Sequence, residues 1–160
     1  MSDNPFLPLT YIAGPAILTN ACATLLNSAT LRYHLAIPQW REFRASLAAG
    51  DRLLADLYAA PERALRLAER RLRLLLRGLD LLYAALAGFG AATLLGLAGA
   101  VAAAQELRLV PVWLVPAAGA AGLLALLSAM ALFALEIACA RALLQLQVAP
   151  RAAALPGGQP

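Results

Sequence analysis

The sequence predicts an all-α membrane protein: three transmembrane helices with a helical projection on the cytoplasmic side, the second transmembrane helix being extended at its N-terminal end. Three observations carry this reading. Asn4–Leu31, Leu81–Ala104 and Leu109–Leu135 contain no charged side chain. Each exceeds the ~20 apolar residues that cross ~30 Å of hydrocarbon as a helix. The whole chain is 62% hydrophobic over 160 residues, with mean hydropathy +0.72, too apolar for a water-soluble domain of this size. Ten arginines stand between the first run and the second, over Arg32–Arg77, against five acids, a net of +5. By the positive-inside rule that segment is cytoplasmic, with the N-terminus outside, the short hairpin outside and the C-terminus inside. A net charge of +4 points to nucleic acid in a soluble protein. Here the arginines flank spans, so we expect no nucleic-acid partner.

Taken in order, the first span is expected at about 8–31, within a helix from about Pro8 to Leu35. Gly14-Pro15 either kinks it or marks its ordered start. Met1–Leu9 has no basic residue and the run is too long for a signal-peptide core, so this segment is expected to be retained. Arg32, Tyr33 and His34 suit the interface. A cytoplasmic helical segment is expected over 36–78. Pro38 opens it, Trp40, Phe43 and Leu47 recur at helical spacing, and Gly50-Asp51 reads as a break.

Pro61-Glu62 reads as a new helix start, with proline at the first position and an acid in the first turn. Arg63, Arg66, Arg70, Arg73 and Arg77 then share one face, with Leu65, Ala68, Leu72, Leu75, Leu76 and Leu79 opposite. Glu62–Arg66 and Glu69–Arg73 are i,i+4 pairs in the favourable order. No breaker separates this helix from the second span at about 79–104, so one helix is predicted from Pro61 to Ala104. Gln105–Arg108 is the hairpin, and the third span covers about 111–135 with Trp113 as its interfacial anchor. Ala92, Gly96 and Ala100 make a small-residue ladder for close helix contact. These elements make one membrane domain over 1–148, and the Pro/Gly-rich tail 149–160 is expected to be disordered.

Three groups of residues are candidate sites. Asn20, Thr24 and Asn27, with Ser28 beside them, form a polar stripe on the first helix. It either lines a path for water or solute or glues helices together by hydrogen bonds; both readings bury it in protein rather than lipid. Asp80 and Glu136 are the acids nearest the spans, and Arg32, Arg77 and Arg141 are expected at the same level. They make either a proton relay or an interfacial charge cluster that fixes helix register, and shallow depth favours the cluster. Arg63, Arg66, Arg70 and Arg73, with Trp40 and Phe43, could meet anionic lipid headgroups or a protein partner, or simply be solvated. Cys22 and Cys139 sit at different depths, so no disulfide is expected.

His34 is the single histidine, which excludes paired-histidine metal and haem sites within one chain. No serine has an evident base and no phosphate-cradling loop precedes a helix. We therefore expect no catalytic residues, no metal and no cofactor.

Ile12-Ala13-Gly14-Pro15-Ala16-Ile17-Leu18, followed by Ala21–Ser28, resembles the first helix of small bacterial membrane proteins grouped as domain of unknown function 2721. Phe133-Ala134-Leu135-Glu136-Ile137 with Ala142-Leu143 is similar to that family's last helix. The resemblance covers about Leu7–Val148, and departs where Thr30-Leu31-Arg32 stands in place of an Asn-Arg pair after the first span. It implies the same architecture, and no established activity comes with it.

The resulting expectation is a non-enzymatic subunit of the bacterial inner membrane, packing with itself or with other membrane subunits. The alternative is a homo-oligomeric pore or transporter lined by the polar stripe, with Glu136 at its mouth.

Overall fold

Three helices carry nearly all the described residues. The computed structural model describes residues 7–50, 58, 60–104 and 113–147, and side chains at 13–50, 58, 60–102 and 113–147. The hairpin loop, the leader and the tail expected to be disordered lie outside the described residues. Helix α1 spans Leu7–Ala48, α2 spans Pro61–Ala104 and α3 spans Leu114–Leu146.

α2 has the predicted bounds. Proline, with no N–H, opens it at no cost in hydrogen bonds, and the Ala64 N–H closes its first turn on the Ala60 carbonyl at 3.0 Å. It runs unbroken through Gly78, about 65 Å at 1.5 Å per residue. α1 departs from expectation: the helix continues through Pro38 to Ala48 instead of stopping near Leu35. Proline removes one backbone donor there, and the packing of Phe43 on α2 holds the helix beyond it. The predicted break at Gly50 is where α1 ends. Its N–H reaches the Leu47 carbonyl at 3.2 Å and its φ is +64°, a left-handed conformation that glycine adopts without a Cβ penalty. α3 runs about three turns beyond 135, the expected end of the third span.

α2 packs against α1 on one side and α3 on the other. The buried positions repeat every seven residues. They are Cys22, Ala29, Ala36 and Phe43 on α1, and Gly122, Ala129, Glu136 and Leu143 on α3, where Cys139 is buried as well. On α2 they alternate by four and three, through Ala64, Ala68, Leu75, Gly78, Leu82, Ala85, Phe89 and Ala92, with half-buried Arg71 in sequence and Leu79 and Ala102 buried besides. A seven-residue repeat in two turns means 3.5 residues per turn, the geometry of left-handed supercoiled bundles. This seam replaces the broader leucine face read from the sequence: Leu76, assigned to it, is exposed.

Three core layers result. Cys22, Ala85 and Phe89 form the one nearest the hairpin end of α2, followed by Ala29, Leu79, Leu82 and Ala129. At the arginine-rich end Phe43, Tyr58, Ala64, Ala68 and Leu143 form the third, with Trp40, Leu47 and Leu146 against them. α2 and α3 come into backbone contact at Gly88 and Gly122, where a Cβ built on Gly88 would lie 2.8 Å from the Gly122 Cα. Among the described residues two helices, α2 over Pro61–Ala102 and α3, are long and apolar enough to cross a membrane. α1 carries Asn20 and Asn27 inside its uncharged run and is less apolar.

Both i,i+4 pairs form, Arg66 with Glu62 at 3.6 Å and Arg73 with Glu69 at 4.0 Å, with all four side chains largely exposed. Water screens such pairs. Glu62→Gln or Glu69→Gln is expected to lower stability by about 0.5 kcal/mol or less in denaturant titration. A loss above about 1 kcal/mol would overturn the assignment of these pairs to the solvated face.

Candidate functional site: a buried carboxylate between three helices

Glu136 occupies a heptad position of α3, and its side chain is only 2% exposed. An ionised carboxylate in such a place needs opposite charge and hydrogen bonds to offset lost hydration. Two arginines supply them. The Arg71 Nε–H donates to Glu136 Oε1 at 2.5 Å, a short charge-assisted bond. Arg32 Nη1 stands 3.8 Å from Oε2. Each carboxylate oxygen thus faces a guanidinium from a different helix. Arg71 is 23% exposed and Arg32 48%, so the first contact is the sheltered one and the second is partly screened. Neither arginine is replaceable by lysine without loss of the planar donor geometry. The triad lies between the Phe43–Leu143 layer and the Ala29–Leu82–Ala129 layer, with apolar packing on both sides.

This differs from the expected charge cluster. Glu136 and Arg32 are in it; Arg77, Asp80 and Arg141 are exposed and make no ion pair among the described residues. The physical reason is register. The ends of the uncharged runs on α2 and α3 do not meet at one height, because packing sets Gly78 against Phe133 and Arg71 against Glu136. Arg77 and Asp80 therefore sit about two turns nearer the apolar end. Arg71 escaped the sequence reading because it stands off the stripe of Arg63, Arg66, Arg70 and Arg73. The available signal was its place seven residues after Ala64 and seven before Gly78.

The stripe itself is exposed along α2. Trp40 is half-buried, with the Arg44 guanidinium 5.4 Å from its ring, a cation–π distance. Phe43 is not on that surface: it is buried, edge-to-face against Tyr58 with centroids 5.2 Å apart. Its assignment to a partner or lipid surface is therefore corrected to the core. Tyr58 also accepts a hydrogen bond from Gln147 Nε2 at 3.1 Å, tying the end of α3 to this layer.

Asn20, Thr24, Asn27 and Ser28 point away from α2 and α3 and are exposed. The expectation that protein covers this face is thus not met within one chain. Thr24 Oγ1 donates to the Asn20 backbone carbonyl at 3.1 Å. Among the described residues the Asn20 and Asn27 side-chain amides form no hydrogen bond. Cys22 and Cys139 are free and buried. Among the described residues no three His, Cys, Asp or Glu side chains come together as a metal site.

The model of a family described as a protein of unknown function (DUF2721) matches residues 12–146. The chain belongs to this family. The DUF2721 match takes in both strings that carried the resemblance, the buried heptad positions of all three helices, the Arg32–Glu136–Arg71 triad and the outward polar face. No curated protein and no solved structure matches the chain.

Proposed function

We propose that this chain is a non-enzymatic integral membrane subunit of a bacterial inner membrane, in which α1 is a third span. The N-terminus then lies outside, and the arginine-rich end of the bundle stands in the cytoplasm as a short stalk. The observation that supports a subunit role is the outward face of α1. Asn20 and Asn27 lie beside Ile17, Leu31 and Leu35, at the level of the apolar layers, with nothing over them. Asparagine amides facing hydrocarbon are unfavourable, and in membranes such groups are satisfied by neighbouring helices. The arginine stripe and the ends of the bundle offer further surface to a partner or to anionic headgroups. The pore reading would need several copies around a lumen, since Phe89, Leu82 and Leu75 are fully buried within one chain.

The test is the native mass of the complex in nanodiscs, with its polypeptides identified. A mass of more than one chain, of this protein or with stoichiometric others, is expected. A lone monomer would overturn the subunit role.

A further inference from the structure

The uncovered face of α1 has the same construction as the core seams. Ala13, Ile17, Asn20, Thr24, Asn27, Leu31 and His34 follow one another by four and three, the spacing of the buried positions of α2, and every one of them is exposed. Asn20 and Asn27 lie two residues before Cys22 and Ala29, and so about 160° around the helix from the seam that meets α2. α1 therefore carries two heptad seams. One is filled by α2; the other is empty and ends at Pro38.

We infer that the partner on this second seam is another copy of the same chain. The two copies would dock in parallel about a two-fold axis along the membrane normal, so that Asn20 and Asn27 each meet their equivalent at equal depth. The inference rests on the proposed membrane placement of α1. Three features single out a second copy. A carboxamide offers both donors and an acceptor, so it is complementary to itself. Two copies inserted with the same orientation bring identical residues to the same depth, as an isologous interface requires. A seven-residue interval between the two amides is the one that keeps both in register along a left-handed pair, where single core asparagines fix alignment and strand number. Ala13 and Ile17 on one side of the amides and Leu31 on the other supply the apolar knobs. Thr24 is already bonded to its own helix, so it adds contact without an unmet donor.

The experiment is oxidative crosslinking of the full chain in native membranes, with Cys22 and Cys139 replaced by alanine and one cysteine reintroduced at a time. Asn20→Cys and Asn27→Cys are expected to give a covalent dimer. Leu94→Cys and Leu127→Cys, exposed on α2 and α3, serve as controls and are expected to stay monomeric. Since crosslinking variants remove the amides themselves, Leu31→Cys, on the same seam with both asparagines intact, is expected to dimerise as well. As a second reading, Asn20→Leu with Asn27→Leu should weaken self-association by at least tenfold, about 1.4 kcal/mol, in energy transfer between labelled copies in liposomes. These side chains face away from the bundle, so its unfolding midpoint should be unchanged.

No seam-specific crosslink, or equal crosslinking at the controls, overturns the inference. A native mass of more than two copies in nanodiscs also overturns it, in favour of a ring. Absence of self-crosslinks in a complex that holds foreign subunits would remove the second copy and leave the subunit role standing. A lone monomer would remove both.

Discussion

Glu136→Ala is expected to destabilise the protein by about 3 kcal/mol, the low end for breaking a buried ion pair because Arg71 keeps 23% of its side chain in solvent. The loss arises from what remains. Without the carboxylate, Arg71 stays between two apolar layers with its charge unmet. Arg71→Ala should cost at least as much, since it leaves a carboxylate that is 2% exposed with only Arg32, at 3.8 Å, to face it. Arg32→Ala should cost about 1 kcal/mol or less, as expected of a half-exposed partner. The double replacement Glu136→Leu with Arg71→Leu is expected to return to within about 1 kcal/mol of the parent, since apolar residues of similar volume often replace a buried pair without loss. Reversible unfolding in mild detergent measures all four. If Glu136→Ala costs no more than Arg32→Ala, the pair does not hold α3 against α2.

Gly88→Ala is expected to cost about 1–3 kcal/mol, the range for forcing a methyl group into a packed contact. The new Cβ would stand 2.8 Å from the Gly122 Cα, 3.0 Å from its nitrogen and 3.2 Å from the Ala118 carbonyl oxygen. All three are backbone atoms, so no rotamer change relieves the overlap and the helices must part. Gly90→Ala is the matched control on the same helix, with nothing within 4 Å of its new methyl. It is expected to be neutral or to stabilise by up to about 1 kcal/mol, through lower backbone entropy in the unfolded chain. Gly78→Ala should fall between them. Its Cβ would lie 2.7 Å from Phe133 Cε1, but a ring at the end of a side chain can swing aside. Equal effects at Gly88 and Gly90 would refute the close approach of α2 and α3.

The elements were legible in the sequence where local chemistry decides them. Pro61-Glu62 starts α2, no breaker interrupts it, and Gly50 stops α1. One end departs from the expectation. Pro38 reads as a helix start, although a helix packed on both sides of a proline tolerates the lost hydrogen bond. Beyond the third span, expected to end at 135, α3 runs on to Leu146 because Cys139 and Leu143 continue its heptad.

The site was half legible. A lone acid at the edge of an apolar run marked Glu136, but its partner depends on how high α2 stands against α3. That height is set by the sizes of Gly78, Phe133, Gly88 and Gly122, which no count of charges reveals. The polar stripe of α1 was visible as a stripe, since period shows which residues share a face. Which neighbour that face meets is a property of the packed bundle.

The core layers also differ in how they are filled. Toward the hairpin end Cys22, Ala29, Ala85 and Ala129 pack around Phe89, Leu79 and Leu82, with the glycine contact of α2 and α3 beside them; at the arginine-rich end the rings of Phe43, Tyr58 and Trp40 gather with Leu143 over Ala64 and Ala68. With the first end in lipid, as proposed, its helices gain nothing from leaving water and are held by close van der Waals contact. In the same placement the second end is bathed in water and held by exclusion of its aromatic rings from solvent. Heat capacity, cold sensitivity and the response to urea follow from apolar hydration, so they belong to the aromatic end. One continuous set of helices, so placed, is stabilised by two different forces, with Glu136 at the level where one gives way to the other.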